Sequence, residues 1–353
     1  MENIIIAASG TGGHIYPGIS IAAEIKERGY NPVFFISGNS ISLNIIQNSP
    51  YQYEVFNISG MPKILSLNFP FFCLKLLIST VKAFVKIKSL KSKKVIAMGG
   101  YIGFPAIIAA KFAGAKTFIH EQNALAGKAN RFLNSFADIV FISFKNSAHF
   151  FDAKKTVFSG YPVRKDIFIS RKEAREKLNL AEDLYIVLVF GGSLGAAKIN
   201  EAVFETSQIL PSEEKAFFLH ICGERNYEDF SKKTAGKSFY RTLKYMNDIG
   251  IGYGAADLII SRSGAGAISE ISALNKPAIL IPFAAAAQNH QFHNALEIQK
   301  ENFIEIILEK DLSAQILADT LLKIKNSSQH KCFNLPSILP ILPQKIISDA
   351  LLD

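Results

Sequence analysis

A glycine-rich turn directly after an apolar strand occurs twice in this chain, about half its length apart. The first reads IIIAASGTGGH: Ile4 to Ala8 supply an apolar, largely β-branched run, and Gly10, Gly12 and Gly13 crowd the turn before His14. The second reads IVLVFGGSLGAAKIN: Ile186 to Phe190 supply the strand, and Gly191, Gly192 and Gly195 open the next helix. Glycine lets a backbone come close to a ligand. The first helical N–H groups and the positive end of the helix dipole then face any anion placed there. One such turn constrains little. Two, each heading its own alternating β/α series, predict paired α/β domains facing each other across a phosphate-binding cleft.

At 353 residues and 49% hydrophobic, the chain can bury two domain-sized cores. Cys73, Cys222 and Cys332 have neither framework nor metal-ligand spacing and read as reduced thiols. The opening apolar run is too short for a signal peptide and leads straight into the glycine turn, so the cytoplasm is the expected compartment.

Charge is distributed unevenly. Residues 1–160 carry 17 Lys and Arg against 7 Asp and Glu, whereas the remainder carries 22 against 23, so the whole excess of +9 lies in the first half. No acid occurs between Glu54 and Glu121. Within that gap, Phe69 to Lys94 repeats apolar residues at helical spacing, interleaved with Lys75, Lys82, Lys86 and Lys88, then Lys91, Lys93 and Lys94. Lys75 and Lys82 interrupt the run too early for a spanning helix. A basic amphipathic helix lying on an anionic membrane surface fits the pattern. The plainer alternative is a core-facing helix with a solvated basic rim. Nucleic acid is not expected as a partner, because no reader motif or aromatic-basic platform accompanies the lysines.

Strands are expected at 4–8, 32–37, 95–98, 117–120 and 139–142, with a helix over 17–29, looser sequence from the second strand to Pro70, the basic helix, and an Ala-rich helix ending near Ala113. A third glycine turn, Gly99-Gly100-Tyr101-Ile102-Gly103, follows the strand at 95–98. The domain junction is placed near Gly160-Tyr161-Pro162, giving domains 1–162 and 163–353, with the last helix after Pro343 free to pack on either. The second half restarts after a helical segment at 170–180 and runs β/α through strands at 186–190, 217–222, 258–260 and 278–282.

The first turn lacks the full GxGxxG, and the second strand ends at Ser37-Gly38-Asn39 where a nicotinamide enzyme would place a ribose-binding acid. A better nucleotide site is DLIISRSGAGAISEISA, Asp257 to Ala273, a strand, a Ser/Gly turn and a helix carrying Glu270. The turn can cradle a diphosphate and Glu270 can accept both ribose hydroxyls. Alone, Glu270 is equally a surface helix acid.

The runs GTGGHIYPGISIA (10–22), MGGYIGFP (98–105), HEQNALAGKANR (120–131), GYPVR (160–164), GGSLGA (191–196), SRSGAGAISE (261–270) and NHQFHNA (289–295) occur in that order. Together they resemble the MurG family, the bacterial glycosyltransferases that add N-acetylglucosamine to lipid I in peptidoglycan synthesis. The resemblance covers roughly residues 3 to 300. It implies a GT-B fold of two Rossmann-like domains, UDP-N-acetylglucosamine held by the C-terminal domain, and lipid I approaching through an N-terminal domain seated peripherally on the cytoplasmic face of the cell membrane. It also implies a part in cell-wall biogenesis and hence in cell shape and division.

By the same resemblance, Thr11, Gly12 and Gly13 lie beside the donor's phosphate and sugar, and Asn123 contacts the N-acetylglucosamine. Arg164 and Ser193 contact the diphosphate, Met246 offers its backbone to uracil, and Gln291 meets sugar hydroxyls. Ala265, Gly266, Ala267, Ile268, Ser269 and Glu270 form the ribose-phosphate turn. Gly99, Gly100 and Tyr101 form an acceptor-side loop. Four departures from the family pattern stand out: Tyr161 for Asn, Leu194 for Gln, Ala284 to Ala287 for a stretch often holding His and Asp, and Met61-Pro62-Lys63 without its usual Arg. They bear on fine sugar contacts and on the grip on the acceptor.

Inverting transfer needs a base for the acceptor's 4-hydroxyl while UDP leaves from the opposite face. Helix N-termini and Arg164 can stabilise the leaving diphosphate, and no DxD-like pair stands near a strand end, so neither a metal nor a cofactor is expected. Base candidates in the acid-poor half are His14, His120, Glu121, His149, Asp138 and Asp152. His14 directly follows the glycine turn, and histidine is the side chain suited to proton abstraction near neutrality. Two other classes stay open: an isomerase of the UDP-N-acetylglucosamine 2-epimerase kind, which would turn over donor alone, and a non-catalytic nucleotide-sugar binder.

Overall fold

The computed structural model describes residues 1–63, 65–192, 195–299, 304–328 and 342–353. Its contacts divide the chain into two units, Met1–Arg164 with Ile341–Asp353, and Lys165–Pro340.

In the first unit the described residues form seven parallel strands: β1 (Asn3–Ala7), β2 (Asn31–Ser37), β3 (Gln52–Phe56), β4 (Lys94–Ala97), β5 (Lys116–Glu121), β6 (Ile139–Ile142) and β7 (Thr156–Phe158), in the order β3-β2-β1-β4-β5-β6-β7. Helices α1 (Gly12–Glu27), α2 (Ser40–Gln47), α3 (Phe69–Ser89), α4 (Gly103–Ala113) and α5 (Lys128–Leu133) connect them. Both faces of the sheet are covered, which is why its strands read as continuous apolar runs. Ile4 and Ile6 join Phe34, Phe118 and Phe141 under Ile15, Ile21 and Ile25 of α1. Ile5 and Ala7 join Phe35, Val95 and Ile119 under Ala83 and Ile87 of α3 and Ala106 and Ala110 of α4. Cutting one of these isoleucines to Ala should cost about 2–5 kcal/mol.

Helix α1 starts at Gly12 rather than near residue 17, so Pro17 lies inside it. It ends where Gly29 turns left-handed (φ 86°), and Tyr30 N–H donates back to Ile25 O at 3.1 Å. The stretch read as loose sequence before Pro70 contains α2 and β3. Each is short, at eight and five residues, so its periodicity spans too few turns or pleats to stand out.

In the second unit the described strands are β8 (Ile186–Phe190), β9 (Phe217–Ile221), β10 (Tyr240–Leu243), β11 (Leu258–Ser261), β12 (Ala278–Leu280) and β13 (Ile304–Ile306), all parallel, in the order β10-β9-β8-β11-β12-β13. Its helices are α6 (Arg171–Leu178), α7 (Ala197–Ile209), α8 (Tyr227–Thr234), α9 (Ile249–Ala255), α10 (Ala265–Ala273), α11 (His290–Ile298) and α12 (Ala314–Ser328). Val187, Val189, Phe218, Ile260 and Ile279 form its core with Ile199, Val203, Leu317 and Leu321. Arg175 is fully buried there, yet it donates to the carbonyls of Ala181, Glu182, Leu184 and Ala255 and pairs with Asp257 at 2.7 Å. A buried charge with every donor engaged ties α6 to β8 and β11 without an unpaired penalty.

The last helix, α13 (Pro343–Leu352), packs on α1 of the first unit, where Ile347 and Leu351 complete the core and Arg28 pairs with Asp349. In each sheet the strand order reverses once, between β1 and β4 and between β8 and β11. Open parallel sheets bind ligands outside the carboxyl ends of the strands at that reversal.

Candidate active site

In the first unit, the turns after β1 and β4 flank the reversal point. The third glycine turn makes room for the first: a Cβ on Gly99 (φ 103°) would lie 2.6 Å from His14 Nδ1, and one on Gly100 (φ 77°) 2.3 Å from the Ser9 carbonyl. Only glycine fits at either position. The Nδ1–Cε1 edge of the His14 ring therefore faces the Gly99 backbone. Thr11 is extended and opens α1, His14 N–H donates to Thr11 O at 3.1 Å, and no acid occupies the first turn. The Arg164 guanidinium stacks 4.6 Å from the centre of the Tyr16 ring on that same helix. Tyr101 is half-exposed beside the loop.

Strand β5 ends in the HEQN run, and its side chains are tied into a buried network. His120 donates through Nε2 to Gly160 O (3.1 Å) and accepts at Nδ1 from Gln122 (3.0 Å), whose amide also donates to Met98 O. Burial pulls the His120 imidazole down to about 4, despite the Gly160 carbonyl favouring its protonated form. Glu121 accepts from Asn123 N–H (2.9 Å), Asn123 Nδ2 (3.3 Å), Gly127 N–H (2.9 Å) and Asn130 Nδ2 (2.9 Å). Burial nevertheless pushes its carboxyl above the usual range. Asn123 is thus a residue whose backbone and amide are both fixed by a buried acid.

This geometry separates the base candidates. Asp138 precedes β6 and Asp152 precedes β7, at the opposite end of the sheet. Asp138 pairs with Lys111 and accepts from Thr117, and Asp152 caps its own turn. His120 and Glu121 are buried and engaged, and His149 sits exposed on a surface turn. Among the six, His14 combines partial exposure with a place at the reversal point.

In the second unit, the turns after β8 and β11 hold the corresponding position. Ser193 and Leu194 lie outside the described residues, as does Cys332. Gly264 opens α10 with no acid in its first turn, so the N–H groups around Ala265, Gly266 and Ala267 present a positive end. Ile268 on that helix is buried core, and Ser269 lies beside Glu270. The Glu270 carboxylate accepts from the buried Tyr253 hydroxyl at 2.9 Å. Gln291 accepts at its side-chain oxygen from Phe283 N–H (2.9 Å) and at its carbonyl from Ser263 Oγ (2.8 Å). Met246 turns its sulfur onto Gly252. Gln122, Asn130 and Tyr253 escaped the sequence reading. Gln122 and Asn130 lie inside the quoted HEQNALAGKANR run, whereas nothing around Tyr253 in the sequence marks it.

The two halves match known domains in order. Residues 4–142 match the glycosyltransferase family 28 N-terminal domain and residues 186–335 its C-terminal domain. A protein of Elusimicrobium minutum named UDP-N-acetylglucosamine--N-acetylmuramyl-(pentapeptide) pyrophosphoryl-undecaprenol N-acetylglucosamine transferase is 31% identical, covering 99% of both chains. One of the same name from Syntrophus aciditrophicus is 36% identical over 98% of this chain and 93% of its own. The chain belongs to the MurG family of glycosyltransferases. The crystal structure of Acinetobacter baumannii MurG superposes with a TM-score of 0.77 at 25% identity, covering 100% of this chain and 99% of that one. The Neisseria meningitidis UDP-GlcNAc 2-epimerase superposes with a TM-score of 0.67 at 12% identity over 100% of both chains, a likeness of fold. The two halves of this MurG-family chain together make up a GT-B fold.

Helix α3 departs from the plainer reading. Its buried residues are Ser79, Ala83 and Ile87, whereas Phe71, Leu74, Leu77, Ile78, Val81 and Val85 are all more than half exposed. The apolar stripe points outward. Three of its lysines turn back onto the protein: Lys82 donates to Val55 O (2.6 Å), Lys86 pairs with Glu54, and Lys88 donates to Ala113 O (3.0 Å). Lys75 is exposed. Among the described residues no helix is long and apolar enough to cross a membrane.

Proposed function

We propose that this enzyme transfers N-acetylglucosamine from UDP-N-acetylglucosamine to the 4-hydroxyl of the N-acetylmuramoyl sugar of lipid I, with inversion at the anomeric carbon, giving the disaccharide lipid used in peptidoglycan synthesis. The observation that carries the reading is the ordered match of both halves to glycosyltransferase family 28, with a glycine turn at the reversal point of each sheet.

Uridine diphosphate fits the second unit, with its phosphates on the α10 N-terminus and its ribose hydroxyls on Glu270. Met246 offers its backbone to uracil and Gln291 its amide to the sugar. The His14 imidazole takes the proton of the acceptor hydroxyl as that oxygen bonds to the anomeric carbon. The bond from that carbon to the diphosphate breaks, and its electron pair leaves with UDP. Charge grows on the leaving group, so fixed N–H dipoles and the guanidinium of Arg164 act where it develops. Thr11, Gly12 and Gly13 carry the backbone close to the reacting groups, and Gly99, Gly100 and Tyr101 line the acceptor side.

The outward stripe of α3 suits an interfacial helix whose apolar face dips into a bilayer. Exposed Lys75 and the basic surplus of this half favour an anionic leaflet. Both features support a peripheral seat on the cytoplasmic membrane surface, where the lipid acceptor resides. The deciding experiment is incubation of labelled UDP-N-acetylglucosamine with a lipid I analogue. A β-1,4 disaccharide lipid supports transfer, turnover of donor alone indicates an epimerase, and binding without turnover indicates a non-catalytic protein.

A further inference from the structure

A cavity of about 400 Å³ opens between the carboxyl ends of β2 and β3 and one face of α3. Gly38, Val55, Phe56 and Asn57 line one side, and Lys75, Ile78, Ser79 and Lys82 the other. The α3 residues recur at i, i+3, i+4 and i+7, so a single helix face forms that wall. Val55, Phe56, Ile78 and the lysine stems make the walls largely apolar, while two ammonium groups and no carboxylate belong to the lining. Glu54, which precedes the lining residue Val55, is already paired with Lys86. Lys82 is held in place by its bond to Val55 O and by the Phe56 ring, 4.8 Å from its Nζ.

Two connections say what such a cavity would hold. Ile78 belongs both to the lining and to the exposed stripe, so the cavity is continuous with the surface proposed to meet the bilayer. Gly38 directly precedes Asn39, which caps α2, and Ser42 on that helix accepts from Gly10 N–H of the glycine turn at 3.1 Å. The cavity is therefore joined through one turn of α2 to the catalytic loop. A bulk phospholipid would be served by the open stripe, and a soluble anion has no use for apolar walls.

Resting on the transferase reading, we propose that this cavity binds the acceptor's own lipid: the isoprenoid units next to its diphosphate lie against Val55, Phe56 and Ile78, with Lys75 and Lys82 beside the phosphates. The site selects a polyprenyl diphosphate chain, not merely an anionic surface.

The test uses the full-length enzyme in detergent micelles with geranylgeranyl diphosphate carrying a diazirine close to the diphosphate. Photolysis should label residues 55–57 and 75–82. Unlabelled geranylgeranyl diphosphate should suppress the label at least tenfold, while equal concentrations of inorganic diphosphate or phosphatidylglycerol should not. The variant Ile78→Trp, which fills the cavity from an exposed position, should lose labelling about tenfold with an unchanged melting curve. Label spread over the whole stripe and competed by phosphatidylglycerol would reduce the site to a membrane surface. Competition by inorganic diphosphate would reduce it to an anion site, and undiminished labelling of Ile78→Trp would also overturn the proposal. Failure of the transferase reading shows separately, as absence of disaccharide lipid with wild-type enzyme.

Discussion

The Tyr161 hydroxyl donates to the carbonyl of Gly13 at 2.9 Å, and that carbonyl is the one Pro17, lacking an N–H, cannot serve within α1. Tyr161 thus supplies the hydrogen bond that a proline removes, one residue before His14. Tyr161→Phe should cost about 1–3 kcal/mol, the range for a buried acceptor left unsatisfied. Adding Pro17→Ala restores a helical donor, so the double variant should recover part of that loss. A thermal or urea double-mutant cycle showing strict additivity would dismiss the coupling.

On the donor side, Glu270→Ala should weaken UDP and UDP-N-acetylglucosamine in parallel by roughly 1–3 kcal/mol. Tyr253→Phe should weaken UDP by about 1 kcal/mol through the carboxylate it orients. With 2′-deoxy-UDP both penalties should shrink, because one ribose hydroxyl is gone. Calorimetry that finds UDP binding unchanged in Glu270→Ala removes this acid from the site.

For the base, His14→Ala should leave donor affinity nearly intact and lower turnover by roughly 10²–10⁴-fold, the usual worth of proton transfer by a positioned side chain. Activity within a few-fold of wild type would make His14 structural. The buried, fully engaged Glu121 would then have to be freed from its four donors to act, which makes it a poor replacement.

Acid stability follows from two buried neutral histidines. Burial holds His120 at about 4 and His220 at about 3, the latter between Asn200 Oδ1 and the Tyr240 hydroxyl. The unfolded chain takes up these protons below about pH 6.5 whereas the folded chain refuses them, so stability falls as pH drops from 6.5 towards 4. At pH 5 each should cost its unit about 2 kcal/mol relative to pH 8. Melting curves across this range should show the loss, and His220→Gln should flatten it for the second unit while lowering stability at neutral pH.

Membrane attachment should depend more on the α3 stripe than on its lysines. Replacing Val81 and Val85 by Asp should release the protein from anionic vesicles, since burying charge in the acyl boundary is unfavourable. Replacing Lys82, Lys86 and Lys88 by Gln should weaken sedimentation less, because these groups already bond to Val55, Glu54 and Ala113. Vesicle binding by the double Asp variant equal to wild type would place the contact elsewhere.

Much of the site was legible because glycine turns, buried strands and their spacing are local signals. The runs at 4–8 and 186–190 marked the strands beside both reversal points, and the first two glycine turns lay beside them. What escaped was non-local. Nothing in the neighbourhood of Tyr253 says that it meets a carboxylate 17 residues on, and α3 shows the same spacing whichever apolar face turns inward. Short, half-exposed β3 and β7 carried too little alternation to be seen, and the helix read from residue 17 begins at Gly12, with Tyr161 serving the carbonyl that the interior Pro17 cannot.

Helix α13 closes over α1, so the first unit is a discontinuous structure, assembled from the earliest and the latest parts of the chain. During synthesis, Met1–Arg164 emerges with the Ile15, Ile21 and Ile25 side of α1 lacking the Ile347 and Leu351 that cover it. The second unit, a contiguous stretch, has no such wait. Completion of the first unit therefore waits for α13, and truncation within 343–352 should unsettle the His14 turn at the other end of that unit while sparing the second unit.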